Sequence, residues 1–134
     1  MAAVEGPRIV GTGHADELPG ALHDRLAPGD LVLAPWQHDG HPDHDAAGRA
    51  AIAAAPARGA RLLRYPVWAW HWLEPDAPRA PFQAFRMPLD AQARSRKQEA
   101  IRCFTSQIAP GGPAPILPEH VLAHFDRPFE VYLP

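Results

Sequence analysis

The sequence predicts an α/β fold in which helices flank a mostly parallel sheet. Three consecutive segments indicate it: an apolar run at 31–34, an alanine-rich stretch at 42–55, and a second strand-like run at 61–65. A strand, a helix and a strand within about 30 residues are typical of a right-handed crossover in a parallel sheet. A length of 134 residues with 46% hydrophobic residues suits one domain, and we expect residues 1–134 to form it.

The elements that precede the crossover are short. Residues 8–11 predict a strand, and leucines at steps of four over 18–26 indicate a helix. Residues 27–30 have the composition of a turn. The apolar run at 31–34 is closed by Pro35, and such a continuous run is typical of a buried parallel strand.

The segments that follow alternate between helix and extended chain. Alanine content and apolar residues at the helical period predict helices, while repeated prolines predict an extended loop and alternation predicts a last strand. In chain order we expect a helix at 42–55, a strand at 61–65, an extended loop at 74–88, a helix at 90–108, a short helix at 118–125 and a strand at 129–133.

Composition excludes several classes of protein. A net charge of −2, from 13 basic and 15 acidic residues, provides no broad electrostatic footprint for nucleic acid. No apolar run approaches the roughly 20 residues of a membrane helix, and the N-terminus does not have the pattern of a signal peptide. The single cysteine, Cys103, suits a reducing compartment, and we expect it to be a small core residue. These features predict a cytoplasmic protein that binds no nucleic acid.

Three histidines, His38, His41 and His44, fall within seven residues directly after the strand predicted at 31–34. Ligands of open parallel sheets bind at this edge. Pro42 suits the first helical position, which makes His41 the cap residue and puts His41 and His44 on one side of the helix start. Imidazoles so spaced can bind zinc or act at one reacting centre. The alternative is a solvated helix start with exposed histidines.

The histidines belong to a longer pattern that resembles a known family. Its first string runs from Leu-Ala-Pro-Trp at 33–36 through Gly-His-Pro-Asp-His at 40–44 to Gly48. The later strings are Tyr-Pro-Val-Trp at 65–68, Lys-x2-Ala-x3-Phe-x-Ser-Gln at 97–107 and Arg-Pro-Phe-Glu-Val-Tyr at 127–132. The order of these strings is similar to that of the GlcNAc-phosphatidylinositol de-N-acetylases, the PIG-L or LmbE-like deacetylases, and covers residues 30–133.

This resemblance implies a Rossmann-like three-layer α/β/α fold and a zinc-dependent hydrolase. Members of the family remove an N-acetyl group from an amino sugar or its conjugate, which is a small-molecule substrate. By motif, His44 corresponds to the metal-binding histidine. His41 corresponds to the catalytic histidine that assists the tetrahedral intermediate, as oxyanion stabiliser or general acid. No substrate-binding residue of this chain is implied.

One motif of the family is absent from this chain. Members begin with a strand followed by His-Pro-Asp-Asp, which supplies two further metal ligands and the general base. The nearest string here is at 14–17, where His14 and Glu17 would be ligands and Asp16 the base if it were a degenerate copy. The other interpretation is that residues 1–29 are a variable segment, and the chain is then the C-terminal portion of such a fold: a truncated product, a misplaced start or a reduced relative.

Two further groups of residues are candidates for packing or binding. Trp68, Trp70 and Trp72 alternate, so in an extended chain they would share one face, and we expect at least two of them to pack in the core. Lys97 lies on the apolar stripe of its predicted helix, where a buried lysine needs a partner. We expect Glu130 to form an ion pair with it.

Two other functions remain open beside deacetylation. The chain would be a catalytically inactive remnant, acting as a binding or partner subunit, if the missing ligands are not replaced. Unpaired strand edges would then favour association, including homo-oligomers. A third interpretation is a simple metal-binding module that uses His38, His41 and His44.

Overall fold

The computed structural model describes residues 16–73, 82–109 and 114–134, and these residues fall into two compact units. The first comprises the described residues up to Ala69 together with Leu133 and Pro134, and the second comprises the described residues from Trp70 to Tyr132. The strand predicted at 8–11 lies outside the described residues. Within those residues, no helix combines the length and the apolar character that crossing a membrane would need.

The first unit contains the predicted strand–helix–strand crossover. Its elements are α1 (Leu18–His23), β1 (Leu31–Pro35), α2 (Pro42–Ala57) and β2 (Arg61–Tyr65). The two strands are parallel, with Leu31 opposite Arg61 and Pro35 opposite Tyr65, so the predicted α/β class with a parallel sheet is confirmed. Leu133 adds an antiparallel bridge to Arg64.

Helix α2 owes its position to small residues. Alanine has the highest helix propensity, and six small residues of α2 are buried: Ala46, Gly48, Ala50, Ala51, Ala54 and Ala55. Ala34 of β1 is buried with them, whereas Leu31 and Leu33 are 50% and 51% exposed. The expectation of a wholly buried strand was therefore wrong, because successive side chains of β1 point to opposite faces and only one face is covered.

The second unit contains an antiparallel strand pair and three helices. These are β3 (Phe85–Pro88), α3 (Ala91–Arg102), α4 (Thr105–Ile108), α5 (Glu119–Phe125) and β4 (Phe129–Tyr132). In the β3–β4 ladder, Phe85 is opposite Tyr132 and Pro88 is opposite Phe129. The predicted short helix and last strand are confirmed, while β3 replaces the end of the loop predicted at 74–88.

The helix predicted at 90–108 is interrupted after Arg102. Phe104 has non-helical backbone angles (φ −82°, ψ 49°) and is 52% exposed, and no residue of α3 is buried. The free thiol of Cys103 is also exposed, which corrects its expected place in the core. A helix draws most of its stability from the burial of one face. Because α3 buries no residue, its apolar stripe does not stabilise one continuous helix over 90–108.

The ion pair expected between Lys97 and Glu130 is confirmed, with 2.7 Å between Nζ and Oε1. Both side chains are largely covered, at 19% and 34% exposure. The alternation of the three tryptophans does not correspond to a strand, because Trp68–His71 form a 3₁₀ helix. This helix turns every three residues, so Trp68 and Trp70 do not share a face as they would in a strand.

Candidate functional site

The candidate site lies where β1 and β2 end, inside the first unit. Because the strands are parallel, the loop at 36–41 and the segment at 66–69 leave the same edge of the sheet. The backbone N–H of Trp36 donates to the Tyr65 carbonyl at 2.9 Å, and Arg64 donates to the Gln37 side chain at 2.8 Å. These bonds hold the two segments together at the edge where parallel sheets bind ligands.

A tight turn carries the chain from β1 into α2. Gly40 has a positive φ of 87°, a conformation that glycine adopts without steric cost. His41 is extended and caps α2, and Pro42 occupies the first turn as predicted. Asp43 and Asp45 lie in the first turn, where carboxylates favour the helix dipole. The loop therefore delivers His41 and His44 to the start of the same helix.

Asp39 is the buried polar centre of this edge, with no exposed surface. Its Oδ1 accepts hydrogen bonds from the backbone N–H groups of Val67 at 2.8 Å and Ala69 at 3.0 Å. Its Oδ2 accepts one from the N–H of Trp68 at 2.7 Å and lies 2.5 Å from His44 Nδ1. The carboxylate of the β1–α2 loop is thus bonded to three successive amides after β2.

The contact with Asp39 determines which nitrogen of His44 is free. Backbone N–H groups donate to both oxygens of this carboxylate, which act as acceptors, so we assign the proton of the contact with His44 to its Nδ1. In the neutral ring Nε2 then carries a lone pair. The His44 side chain is 27% exposed, so this nitrogen belongs to a ring that solvent and ligands can reach.

His41 has the opposite arrangement of nitrogens. Its Nδ1 accepts a hydrogen bond from the backbone N–H of Asp43 at 3.3 Å, so in the neutral ring the proton is on Nε2. The two ring centroids are 4.5 Å apart. The indole of Trp68 meets the His41 ring edge-on, with 5.9 Å between centroids. One ring therefore offers a lone pair and its neighbour offers a donor.

The third histidine of the cluster does not join this pair. His38 is exposed, and its ring packs edge-on against Trp36 with 5.6 Å between centroids. In the described part of the chain, no group of three or more His, Cys, Asp or Glu side chains is arranged to hold a metal ion. His14 lies outside the described residues, and the side chains of Asp16 and Glu17 are exposed just before α1.

The residues present therefore suit zinc only in part. A histidine whose Nδ1–H is bonded to a carboxylate is the usual form of a zinc-binding histidine, and His44 has it. A zinc site usually takes three or four protein ligands, and the described residues do not assemble that number. Sequence patterns indicate no role for Asp39, because an acid in a polar loop is ordinarily solvated and nothing in its spacing signals burial.

A separate cluster in the second unit shifts the pKa of a histidine. The rings of His124 and Trp70 stack at 4.7 Å, and the Arg127 guanidinium donates to His124 Nδ1 at 2.6 Å. Burial lowers the pKa of His124, and the charges of Arg127 and His120 lower it further. Burial also raises the pKa of Tyr132. His124, Trp70 and Arg127 contact one another inside the second unit.

The fold, though not the sequence, is similar to that of a known enzyme. No family model and no curated protein matches the sequence. The zinc-inhibited form of teicoplanin deacetylase Orf2 matches with a TM-score of 0.58 at 21% identity. The match covers 99% of this chain and 59% of that one. The chain therefore has part of the Rossmann-like α/β fold of this deacetylase.

Proposed function

We propose that this chain contributes two histidines, His41 and His44, to a metal-dependent N-deacetylase site. In this proposal His44 is a zinc ligand and His41 is the catalytic residue that assists breakdown of the amide. The substrate class is an N-acetylated amino-sugar conjugate, as the resemblance to the LmbE-like deacetylases implies. The similarity in fold to a deacetylase supports the class of reaction, and the substrate rests on the resemblance alone.

The proposal depends on the hydrogen bonds of the two histidines, which leave a lone pair on Nε2 of His44 and a proton on Nε2 of His41. A zinc ligand needs an unprotonated nitrogen, and the bond to Asp39 leaves that nitrogen at Nε2 of His44. An oxyanion needs a donor, and the bond from Asp43 leaves the proton on Nε2 of His41. With 4.5 Å between ring centroids, both nitrogens can serve one small reacting group.

The chemistry of acetamide hydrolysis gives each residue a separate task. Zinc, when bound, would supply polarisation of the carbonyl and activation of water. The attacked carbon becomes tetrahedral and its oxygen gains negative charge, which the Nε2–H of His41 would stabilise by a hydrogen bond. A protonated His41 would instead pass its proton to the leaving amine. The further zinc ligands would have to come from outside the described residues.

The experiment measures zinc content and turnover together on the purified chain. We expect bound zinc and release of acetate from an N-acetylglucosamine conjugate. The His44→Gln variant should lose both, because it removes a ligand. The His41→Gln variant should keep zinc and lose about 10²- to 10³-fold in kcat, because only the transition-state donor is gone. The His38→Gln variant is the matched control and should retain zinc and activity.

The alternative is an inactive relative that serves as a binding or partner subunit. It is compatible with the absence of a three-ligand cluster among residues 16–73, 82–109 and 114–134. A protein without zinc and without turnover would support this alternative and overturn the proposal. Zinc without turnover, lost equally in the His38, His41 and His44 variants, would support a simple metal-binding module instead.

A further inference from the structure

We infer that Asp39 is a positioning residue, which holds the tautomer of His44 and joins it to the segment that carries Trp68. This inference rests on the proposed function, since it concerns how the proposed zinc ligand is prepared. It assigns a role to a side chain outside the two histidines. It also explains why a carboxylate with no exposed surface is kept in a short loop.

The hydrogen bonds of Asp39 leave little freedom in this arrangement. Among the described residues, Oδ1 accepts bonds from Val67 and Ala69, and Oδ2 accepts one from Trp68 and faces Nδ1 of His44. Three of the four donors are backbone amides, which cannot reverse their role. The fourth, Nδ1 of His44, must therefore donate as well. A buried carboxylate bonded in this way fixes both the orientation and the tautomer of the imidazole.

The same bonds connect His44 to the surroundings of His41. The amides of Val67, Trp68 and Ala69 are held by Asp39, so the backbone of Trp68 is placed by this carboxylate. The indole of Trp68 in turn meets the ring of His41 edge-on. Asp39 thus orients His44 directly, and it orients His41 indirectly through the peptide segment after β2.

Substitution of Asp39 by asparagine changes the group that faces His44 and keeps two of the three backbone bonds. The amide has one oxygen and one NH₂ group. An oxygen at the Oδ1 position keeps the bonds from Val67 and Ala69 and loses the one from Trp68, whereas the reverse placement keeps only the bond from Trp68. The NH₂ group then faces His44 and must donate to Nδ1. We therefore expect Asp39→Asn to move the His44 proton to Nε2 and to occupy the nitrogen intended for the metal.

The test is ¹⁵N NMR of the histidine rings in the full chain without metal, followed by titration with zinc alone. The wild-type protein should show His44 protonated at Nδ1 when neutral. The Asp39→Asn variant should show the proton on Nε2 and a zinc affinity about 10- to 100-fold lower. Asp45→Asn is the matched control. It removes the charge of a nearby carboxylate that accepts a bond from the Gly40 N–H, and it should leave the tautomer unchanged.

Different outcomes would overturn the positioning role of Asp39 and the proposed deacetylase function. A wild-type His44 protonated at Nε2, or an Asp39→Asn variant with an unchanged tautomer, would overturn the positioning role whatever the protein does with zinc. The expected tautomers in a protein that does not bind zinc would support the positioning role and contradict the proposed function. If Asp39→Asn does not fold, the wild-type tautomer alone decides the inference.

Discussion

The imidazole of His124 shows how a single residue of the second unit depends on its neighbours. It stacks on Trp70 with an angle of 12° between the rings and accepts a hydrogen bond from Arg127. The Arg127 guanidinium also lies over the Trp70 ring, 5.2 Å from its centroid. A proton on His124 would displace the bond from Arg127 and add a positive charge beside that of Arg127. The neutral ring is therefore the form that suits the folded protein.

We expect His124 to make stability depend on pH below its ordinary pKa of 6.5. The folded pKa is lowered, by burial first and then by Arg127 and His120. As the pH falls below 6.5, the unfolded chain takes up the proton before the folded protein does, so the free energy of unfolding decreases until the lower folded pKa is passed. Above 6.5 the contribution is fully present.

Urea unfolding between about pH 7.5 and 5.5 measures this dependence. The His124→Gln variant should lose less stability over this range than the wild-type protein. His23→Gln, which changes an exposed histidine at the end of α1, should retain the wild-type dependence. Equal pH dependence in His124→Gln and the wild-type protein would show that this histidine does not carry the effect.

Helix α2 is the element that places the candidate site. It packs on β1 so closely that Gly48 has no room for a side chain. A Cβ there would lie 2.6 Å from the Pro35 carbonyl oxygen and 2.7 Å from the Gln37 nitrogen. Both neighbours are backbone atoms at the start of the loop that carries Asp39, and backbone cannot turn aside as a side chain can. The helix and the loop are therefore fitted to each other at this point.

We expect Gly48→Ala to cost about 1–3 kcal/mol of unfolding free energy, as overpacking in a filled core does. The matched control is Gly20→Ala in α1, where a Cβ meets no atom within 4 Å. That change should be neutral or stabilise by up to about 1 kcal/mol, because alanine is the better helix former. Thermal or urea unfolding of both variants measures the difference. A Gly48→Ala variant as stable as Gly20→Ala would contradict the close approach.

Sequence patterns predicted the helices and strands whose local residue pattern matches the way they pack in the structure. The crossover at 31–65, the helix α5 and the strand β4 follow from apolar runs, alanine content and alternation. The break at Phe104, the strand β3 and the 3₁₀ helix at Trp68–His71 do not, because tertiary contacts decide them. The place of the histidines at the end of β1 was predictable. The burial of Asp39 was not, since its three amide donors come from residues 28–30 positions later.

On the scale of the whole molecule, this chain has part of a larger fold. It spans 59% of the length of the solved deacetylase to which it is similar. Its first unit contains a parallel strand pair with two adjacent histidine rings at the carboxyl edge of the strands. We propose that this edge contributes the histidines of a metal site, with Nε2 of His44 as the ligand.

Anomalous scattering at the zinc edge, from crystals of the protein grown with zinc, tests this claim most directly. We expect a single strong peak about 2.1 Å from Nε2 of His44, with His41 beside it but not bonded to the ion. The peak should be absent in crystals of the His44→Gln variant. Zinc bound through His38 and His41, or bound away from the loop at 36–44, would contradict the account.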